Sequence, residues 1–167
     1  MRQIIPFPIC FFFVRLNTKG EIKMKFTVYL AGEIHSDWRE ELKEQLKDLD
    51  LEFVGPQTDH SLSDGIGEEI LGEQPGDWYR DQAASQINNF RTQTMMNAAD
   101  FVLAKFGEEY KQWNTAMDAA TAVEKGKPLI IIRPESAIHA LKELENKANV
   151  AVETIEQAVQ VIQYLFV

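Results

Sequence analysis

Residues 113–132 constrain the fold of this chain more than any other segment. Small apolar residues recur there at helical spacing, at Ala116, Ala119, Ala120 and Val123. This spacing predicts a helix with a narrow face that can lie close against a sheet. Gly126 and Pro128 end the helix, because neither residue continues it readily. The unbroken apolar run Leu129–Ile132 is typical of a strand covered on both faces, so the segment indicates an α/β fold.

Strands and helices alternate along the rest of the chain as well. Strands are predicted at 25–31, 51–54, 101–106, 129–132 and 149–152, with helices between them and after the last one. Such alternation, without repeats or a linker, predicts a parallel sheet with helices on both faces. Right-handed crossovers then favour a doubly wound, flavodoxin-like three-layer sandwich. Its five parallel strands are expected in the order 2-1-3-4-5.

Side-chain caps predict where several helices begin. Asp37 with Glu40, and Thr154 with Gln157, have the spacing of capping boxes. Asp81 is expected to cap the long helix that follows it, over residues 82 to 99. The residues of that helix expected to face the core are Ile87, Phe90, Thr94 and Ala98.

Residues 57–80 are rich in Gly, Asp, Glu, Ser and Pro. This composition predicts an irregular loop, with at most a short helix at 66–71, that closes over a ligand. Within it, Asp59, His60 and Asp64 are residue types that bind metals, but their order matches no common ligand template. We therefore expect neither a metal nor another cofactor.

The charge balance limits the partners of the protein. A formal net charge of -9 argues against a nucleic-acid polymer or an anionic membrane. A single pocket can nevertheless bind a nucleoside or nucleotide whatever the total charge. Cys10 is the only cysteine, so the chain has neither an internal disulfide nor a thiolate metal site. We expect a cytoplasmic protein.

Residues 1–23 differ from the rest of the chain. Their apolar stretch at 4–14 is too short to span a bilayer, which takes ~20 residues. A signal peptide is one interpretation, but no small-x-small cleavage site follows the stretch. We interpret residues 1–23 as a leader translated from a start codon upstream of the working start, Met24. Residues 24–167 are then one domain.

Sheets of the predicted order bind ligands at the carboxyl ends of their strands, where the chain connections diverge. No dinucleotide-binding, P-loop or nucleophile-elbow motif occurs in the turns expected there. What remains is Asp118, near the start of a helix whose dipole would keep the carboxylate ionised. Such a carboxylate can be the nucleophile in glycosyl transfer. Alternatively, Asn114 or Thr115 caps the helix, and Asp118 completes a capping box with Thr115.

Short motifs along the predicted strands and helix suggest a family. They are Val-Tyr-Leu-Ala-Gly at 28–32, Ala-Asp-Phe-Val-Leu-Ala at 99–104, Asn-Thr-Ala-Met-Asp-Ala-Ala-Thr-Ala at 114–122 and Gly-Lys-Pro at 126–128. These motifs resemble those of nucleoside 2-deoxyribosyltransferases. The resemblance is greatest to the YtoQ-type branch, where it extends from Met24 nearly to the last residue and includes Ile-Asn-Asn-Phe-Arg-Thr-Gln at 87–93.

The resemblance implies an activity and a set of site residues. Asp118 stands where the family carries a catalytic Glu, which attacks the sugar C1′ and forms a glycosyl ester. The sugar then passes to another base or to water. Tyr29 would lie beside this nucleophile. The residues expected to line the substrate pocket are Gly32, His35, Gln57, Asn89 and Asn114. Family members are commonly homo-oligomers with shared active sites, so a homo-oligomer is expected.

Three departures from the family pattern leave a second interpretation open. Asp118 is one methylene shorter than Glu, which can misplace the carboxylate. Thr92 stands where an acid helps to protonate the leaving base, and His35 where nucleotide-hydrolase relatives carry an Arg. The alternative is a nucleotide- or metabolite-binding protein of the same fold without the chemistry. A purely structural interaction domain is less favoured, because no exposed apolar stripe is predicted after Met24.

Overall fold

The computed structural model describes residues 14–16, 22–109 and 112–167, with side chains described for 25–109 and 112–167. Strand β1 (Val14–Leu16) pairs antiparallel with β2 (Ile22–Met24). Most of residues 1–23 lies outside the described residues, so their interpretation as a leader stays a prediction.

Five parallel strands form the central sheet. In chain order they are β3 (Phe26–Gly32), β4 (Leu51–Val54), β5 (Phe101–Lys105), β6 (Leu129–Ile132) and β7 (Val150–Val152). Their spatial order is β4-β3-β5-β6-β7, and every neighbouring pair is parallel. Counted from β3, this is the predicted order 2-1-3-4-5, and the doubly wound fold is confirmed.

The described residues contain six α-helices. They are α1 (Trp38–Gln45), α2 (His60–Leu71), α3 (Asp77–Ala98), α4 (Trp113–Glu124), α5 (Ile138–Glu145) and α6 (Ile155–Gln163), with 3₁₀ turns at Glu135–Ala137 and Tyr164–Phe166. None of these helices combines the length and the apolar composition that crossing a membrane requires.

Strand β3 contributes to two separate cores, because its side chains alternate between the faces of the sheet. Val28 and Leu30 join a cluster with buried residues of α1 and α6, among them Trp38, Leu42, Leu46, Ala158 and Ile162. Tyr29 and Ala31 join a second cluster with buried residues of α3 and α4, among them Met96, Ala119 and Ala122. Ala116, Ala119 and Val123 of α4 pack against the sheet as predicted, whereas Ala120 is exposed.

Of the capping boxes predicted for α1 and α6, only that of α6 is confirmed. The Thr154 hydroxyl accepts a hydrogen bond from the Gln157 N–H, and the Gln157 side chain accepts one from the Thr154 N–H. The box predicted for α1 is wrong, because Asp37 makes no side-chain cap hydrogen bond. Its backbone (φ −83°, ψ 17°) lacks the extended conformation in which a cap side chain reaches the first turn.

The irregular loop predicted at 57–80 is wrong, since most of that segment is helical. Helix α2 begins after Asp59, whose carboxylate accepts hydrogen bonds from the N–H groups of Ser61 and Leu62. One glycine of this segment serves packing: a Cβ at Gly67 would lie 2.6 Å from the Ala84 nitrogen of α3. Gly67, which suggested a loop, therefore allows two helices to approach closely.

The start and the buried face predicted for α3 are also wrong. The helix begins at Asp77, so Asp81 lies inside it rather than capping it. Phe90, Thr94 and Ala98 are exposed, Ile87 is half-buried, and the buried residues are Ala83, Ala84 and Met96. The first part of α3 packs on α2, whereas Met96 near its end packs in the core beneath the sheet. A single helical stripe therefore cannot describe its buried residues.

Large apolar side chains are exposed on helices α2, α3 and α4. On α3 they include Trp78 (66% exposed) and Phe90 (75%), and on α4 they include Trp113 (73%) and Met117 (53%). On α2 they are Leu62, Ile70 and Leu71. The sequence did not predict these exposed side chains.

Candidate active site

The carboxyl end of β3 is shaped by Gly32. Its φ is 155°, and a Cβ there would lie 2.7 Å from Trp38 Cζ2 and 3.0 Å from the Lys105 carbonyl oxygen. Only glycine leaves room for the indole ring of α1 at this point. The chain therefore leaves the sheet over the Trp38 ring, next to the end of β5.

Arg39 holds the backbone that follows β3. This buried guanidinium donates from Nη1 to the Glu33 carbonyl (2.7 Å) and from Nη2 to the Gly32 carbonyl (2.9 Å). It also lies 4.5 Å from the Trp38 ring centroid, and the Trp38 indole N–H donates to the Glu33 carbonyl (2.9 Å). These bonds satisfy carbonyls at the end of β3 and just after it, and they hold the turn in one conformation.

The Glu33 carboxylate lies in the same turn. It accepts hydrogen bonds from the His35 N–H (2.6 Å), the Ser36 N–H (3.1 Å) and the Ser36 hydroxyl, and Lys105 Nζ is 3.9 Å away. Burial raises the pKa of Glu33, but these hydrogen bonds and the Lys105 charge outweigh it and lower the pKa overall. Glu33 is therefore a fixed negative charge at this end of the sheet.

Asp118 lies in the second turn of α4, since the helix begins at Trp113 with Gln112 at its cap position. The expected caps at Asn114 and Thr115 are wrong: both residues lie inside the first turn, and no side-chain cap hydrogen bond is present. The capping-box explanation of Asp118 fails with them. Its described side-chain partner is instead the Tyr29 hydroxyl, which donates to Asp118 Oδ2 at 3.0 Å.

Burial changes the ionisation of this pair. It raises the pKa of Asp118 to about 6, against a smaller lowering by the Tyr29 hydrogen bond. The expected influence of the helix dipole is thus overridden. Burial first, and then the Asp118 charge, also raises the pKa of Tyr29, so the phenol stays protonated and remains the donor. At pH 7, Asp118 is mostly ionised and close to its titration range.

An open cleft of about 710 Å³ lies above the pair. It brings together Asp118 and all five predicted pocket residues: Gly32, His35, Gln57, Asn89 and Asn114. They come from the end of β3 and the turn after it, the turn after β4, helix α3 and helix α4. Tyr29 does not line the cleft; it lies fully buried in the sheet below.

The charges around the cleft are mostly negative. Four carboxylates line it, those of Glu33, Asp64, Asp81 and Asp118, and no Lys or Arg does so among the described residues. The rings of His35 and His60 stack across one side with centroids 5.2 Å apart. No cluster of three or more potential metal ligands occurs among the described residues.

Sequence reasoning missed three residues of this site. Glu33 and Arg39 were not predicted as site residues, and Arg39 is only 6% exposed. Gln112 was not noticed, and it both lines the cleft and adopts a left-handed backbone. No local pattern marks any of them, because each depends on contacts between separate elements.

The fold and this cleft define a doubly wound α/β protein with a partly buried carboxylate at the switch point between β3 and β5. Residues 29–166 match the family described as "Nucleoside 2-deoxyribosyltransferase YtoQ", and the chain belongs to that family. It is 65% identical over 145 residues to the "Uncharacterized protein YtoQ" of Bacillus subtilis (strain 168), covering 86% of this chain and 98% of that protein.

Two solved structures share the fold. One is the 2-deoxyribosyltransferase from Bacillus psychrosaccharolyticus (TM-score 0.53, 17% identity, 80% of this chain and 90% of that one). The other is a conserved protein from Enterococcus faecalis V583 (TM-score 0.52, 14% identity, 84% of this chain and 98% of that one). At these identities the similarity concerns the fold alone.

Proposed function

We propose that the protein cleaves or exchanges the base of a (deoxy)nucleoside through a glycosyl ester on Asp118. The observation that carries this proposal is the Tyr29–Asp118 pair at the cleft, in a member of a family described as nucleoside 2-deoxyribosyltransferase. A carboxylate that is partly buried, yet largely ionised at pH 7, suits nucleophilic attack because it is less solvated than an exposed one.

The hydrogen bond from Tyr29 assigns the two carboxylate oxygens different roles. Oδ2 accepts the phenol proton, and Oδ1 has no hydrogen-bond partner among the described residues, so it is available to attack C1′. As the C1′–O bond forms, the bond between C1′ and the base nitrogen breaks, and its electron pair leaves with the base. The base nitrogen takes up a proton from the open cleft. A second base or water then attacks C1′ and releases the carboxylate.

The charges favour an unphosphorylated nucleoside over a nucleotide. A 5′-phosphate would enter a cleft lined by four carboxylates, without a lining Lys or Arg in the described part of the chain. Like charges that come together in a partly desolvated site repel strongly. A neutral nucleoside avoids this cost.

A second candidate is a binding protein of the same fold that does not turn the ligand over. The observation in its favour is Thr92, which lines the cleft at the position where the family resemblance places an acid. Its hydroxyl donates to the Asn89 carbonyl at 3.2 Å, and an alcohol is a poor proton donor to a leaving base.

A trapping experiment separates the two candidates. The protein is incubated with 2′-deoxy-2′-fluoro-arabinosyl nucleosides, quenched and digested, and its peptides are weighed by mass spectrometry. We expect a sugar adduct on the peptide that contains Asp118 and none in Asp118→Asn. An adduct on another carboxylate, such as Glu33, would refute the assignment, and turnover-free binding would favour the second candidate.

A homo-oligomer is also part of the proposal. The exposed aromatic residues Trp78, Tyr79, Phe90 and Trp113 are the kind of side chains that protein interfaces cover. Sedimentation of wild type and of Phe90→Asp tests this directly. We expect a multiple of the 19.1 kDa chain for wild type and a smaller species for the variant. A wild-type monomer would contradict the proposal.

A further inference from the structure

Gln112 combines several unusual features at the wall of the cleft. Its φ is 48°, the one positive φ outside glycine among the described residues. Its side-chain Nε2 and Oε1 are both buried, and neither has a hydrogen-bond partner in the described part of the chain. The residue occupies the cap position of α4, the helix that carries Asp118.

These features are unfavourable in the protein without ligand. A left-handed backbone costs energy for any residue with a Cβ, because that atom crowds the following carbonyl. A buried amide without partners has lost its hydrogen bonds to water and gained none in return. Such strain and such unpaired groups concentrate at binding sites, where a ligand supplies what is missing.

The position of the amide depends on the turn after β5. A Cβ added at Gly107 would lie 3.1 Å from Gln112 Nε2 and 4.0 Å from Glu33 Cγ. Glycine at this position therefore leaves the space that the amide occupies. The amide packs against Gly107 with both of its polar atoms buried, which distinguishes it from a freely moving surface side chain.

We infer that Gln112 recognises the base of the nucleoside, an inference that rests on the proposed function. A carboxamide presents a donor and an acceptor side by side, which is how Asn and Gln pair with the edge of adenine. Gln112 precedes Asp118 by six residues, which corresponds to ~9 Å along a helix. This separation places the sugar at the carboxylate and the base edge at the amide.

The variant Gln112→Gly tests the inference through two measurements of opposite sign. Glycine adopts the left-handed backbone readily and removes the unpaired amide. The midpoint of thermal unfolding without ligand should therefore rise by about 2–4 °C. The affinity for 2′-deoxynucleosides, measured by calorimetric titration, should fall about tenfold or more. An unchanged affinity, or a midpoint that does not rise, would overturn the inference.

Two further arms sharpen the test. Gln160→Gly makes the same change at an exposed position of α6, where the midpoint should fall and the affinity should stay the same. The tightest of deoxyadenosine, deoxyguanosine, deoxycytidine and thymidine is then replaced by its free base and by 2-deoxyribose. If Gln112→Gly binds the free base more weakly than wild type does, base recognition is supported. If the variant loses affinity only for 2-deoxyribose, the inference is overturned.

The variant Asp118→Asn keeps this inference separate from the proposed function. In the same titrations it should bind deoxynucleosides without turning them over. Turnover by Asp118→Asn would refute the proposed nucleophile and leave the Gln112 result standing. A wild-type protein that binds none of the four deoxynucleosides would refute both.

Discussion

The two faces of the central sheet are built from the same strands but serve different purposes. On one face, Val28 and Leu30 of β3 are covered by apolar side chains of α1 and α6. On the other face, Tyr29 and Ala31 lie under α3 and α4, and Tyr29 binds a carboxylate at the edge of an open cleft. Neighbouring residues of one strand therefore contribute to packing and to the candidate chemistry.

The difference follows from which helices close each face. Large side chains fill the first face, whereas alanines at 99, 104, 119 and 122 bring α4 close to the second face. The close approach brings Asp118 to the Tyr29 hydroxyl and removes much of its water, which raises the pKa of the carboxyl. The second face thus gives up some stability for an ionisable group at the cleft, a common trade at functional sites.

Replacing the carboxylate should have the largest effect. Asp118→Asn is nearly isosteric and can still accept the Tyr29 hydrogen bond, so the fold should be kept while nucleophilicity is lost. Turnover of any substrate should fall ~1,000-fold or more. Steady-state kinetics with a panel of nucleosides, with and without an acceptor base, gives the measurement. Full activity in this variant would show that Asp118 is not the nucleophile.

A cavity in the core between the sheet and helices α1 and α6 should affect only stability. Leu42→Ala removes a fully buried side chain of α1 and should lower the free energy of unfolding by about 2–5 kcal/mol. Denaturant titration measures the loss, and kcat per folded molecule should not change. A large fall in kcat would mean that the two faces are coupled.

The buried carboxyl should make stability depend on pH. Its pKa is raised from 3.8 to about 6 on folding, so the folded state binds the proton more tightly than the unfolded chain. This stabilisation is complete below pH ~4 and lost as pH rises through about 6, a change of about 3 kcal/mol. Wild type should therefore lose stability relative to Asp118→Asn over this range. If the free energies of unfolding of the two proteins changed in the same way between pH 4 and 7, the raised pKa would be contradicted.

Removing only the phenol hydroxyl should have the smallest effect. Tyr29→Phe keeps the ring in the core but frees Asp118 Oδ2, so kcat should fall about tenfold to a hundredfold. The hydrogen bond lowers the Asp118 pKa, so its loss should move the acidic limb of the pH–rate profile to higher pH. Thr27→Val, on the same strand, serves as a control and should leave this limb in place. If the acidic limb does not move in Tyr29→Phe, the Tyr29 hydroxyl has no role at the Asp118 carboxylate.

Local pattern was sufficient for the architecture. The continuous apolar run Leu129–Ile132 and the short strand Leu51–Val54, which Gly-Pro follows, were both predicted at their observed bounds. Parallel neighbours and right-handed crossovers then leave few strand orders to choose from. Each of the predicted pocket residues also lies at the cleft, because the carboxyl ends of parallel strands meet at one edge of the sheet.

Other features were decided by tertiary contacts. Glycine in residues 57–80 indicated a loop, and only the backbone of α3 against Gly67 shows why glycine is needed in a helix there. The ionisation of Asp118 depends on the helices and strand that exclude water from it, and a helix dipole read from the sequence predicted the opposite direction. Sequence determined the order of the strands and the acid at their switch point. Tertiary structure decided how that acid is solvated, bonded and charged, because burial depends on residues far apart in the chain.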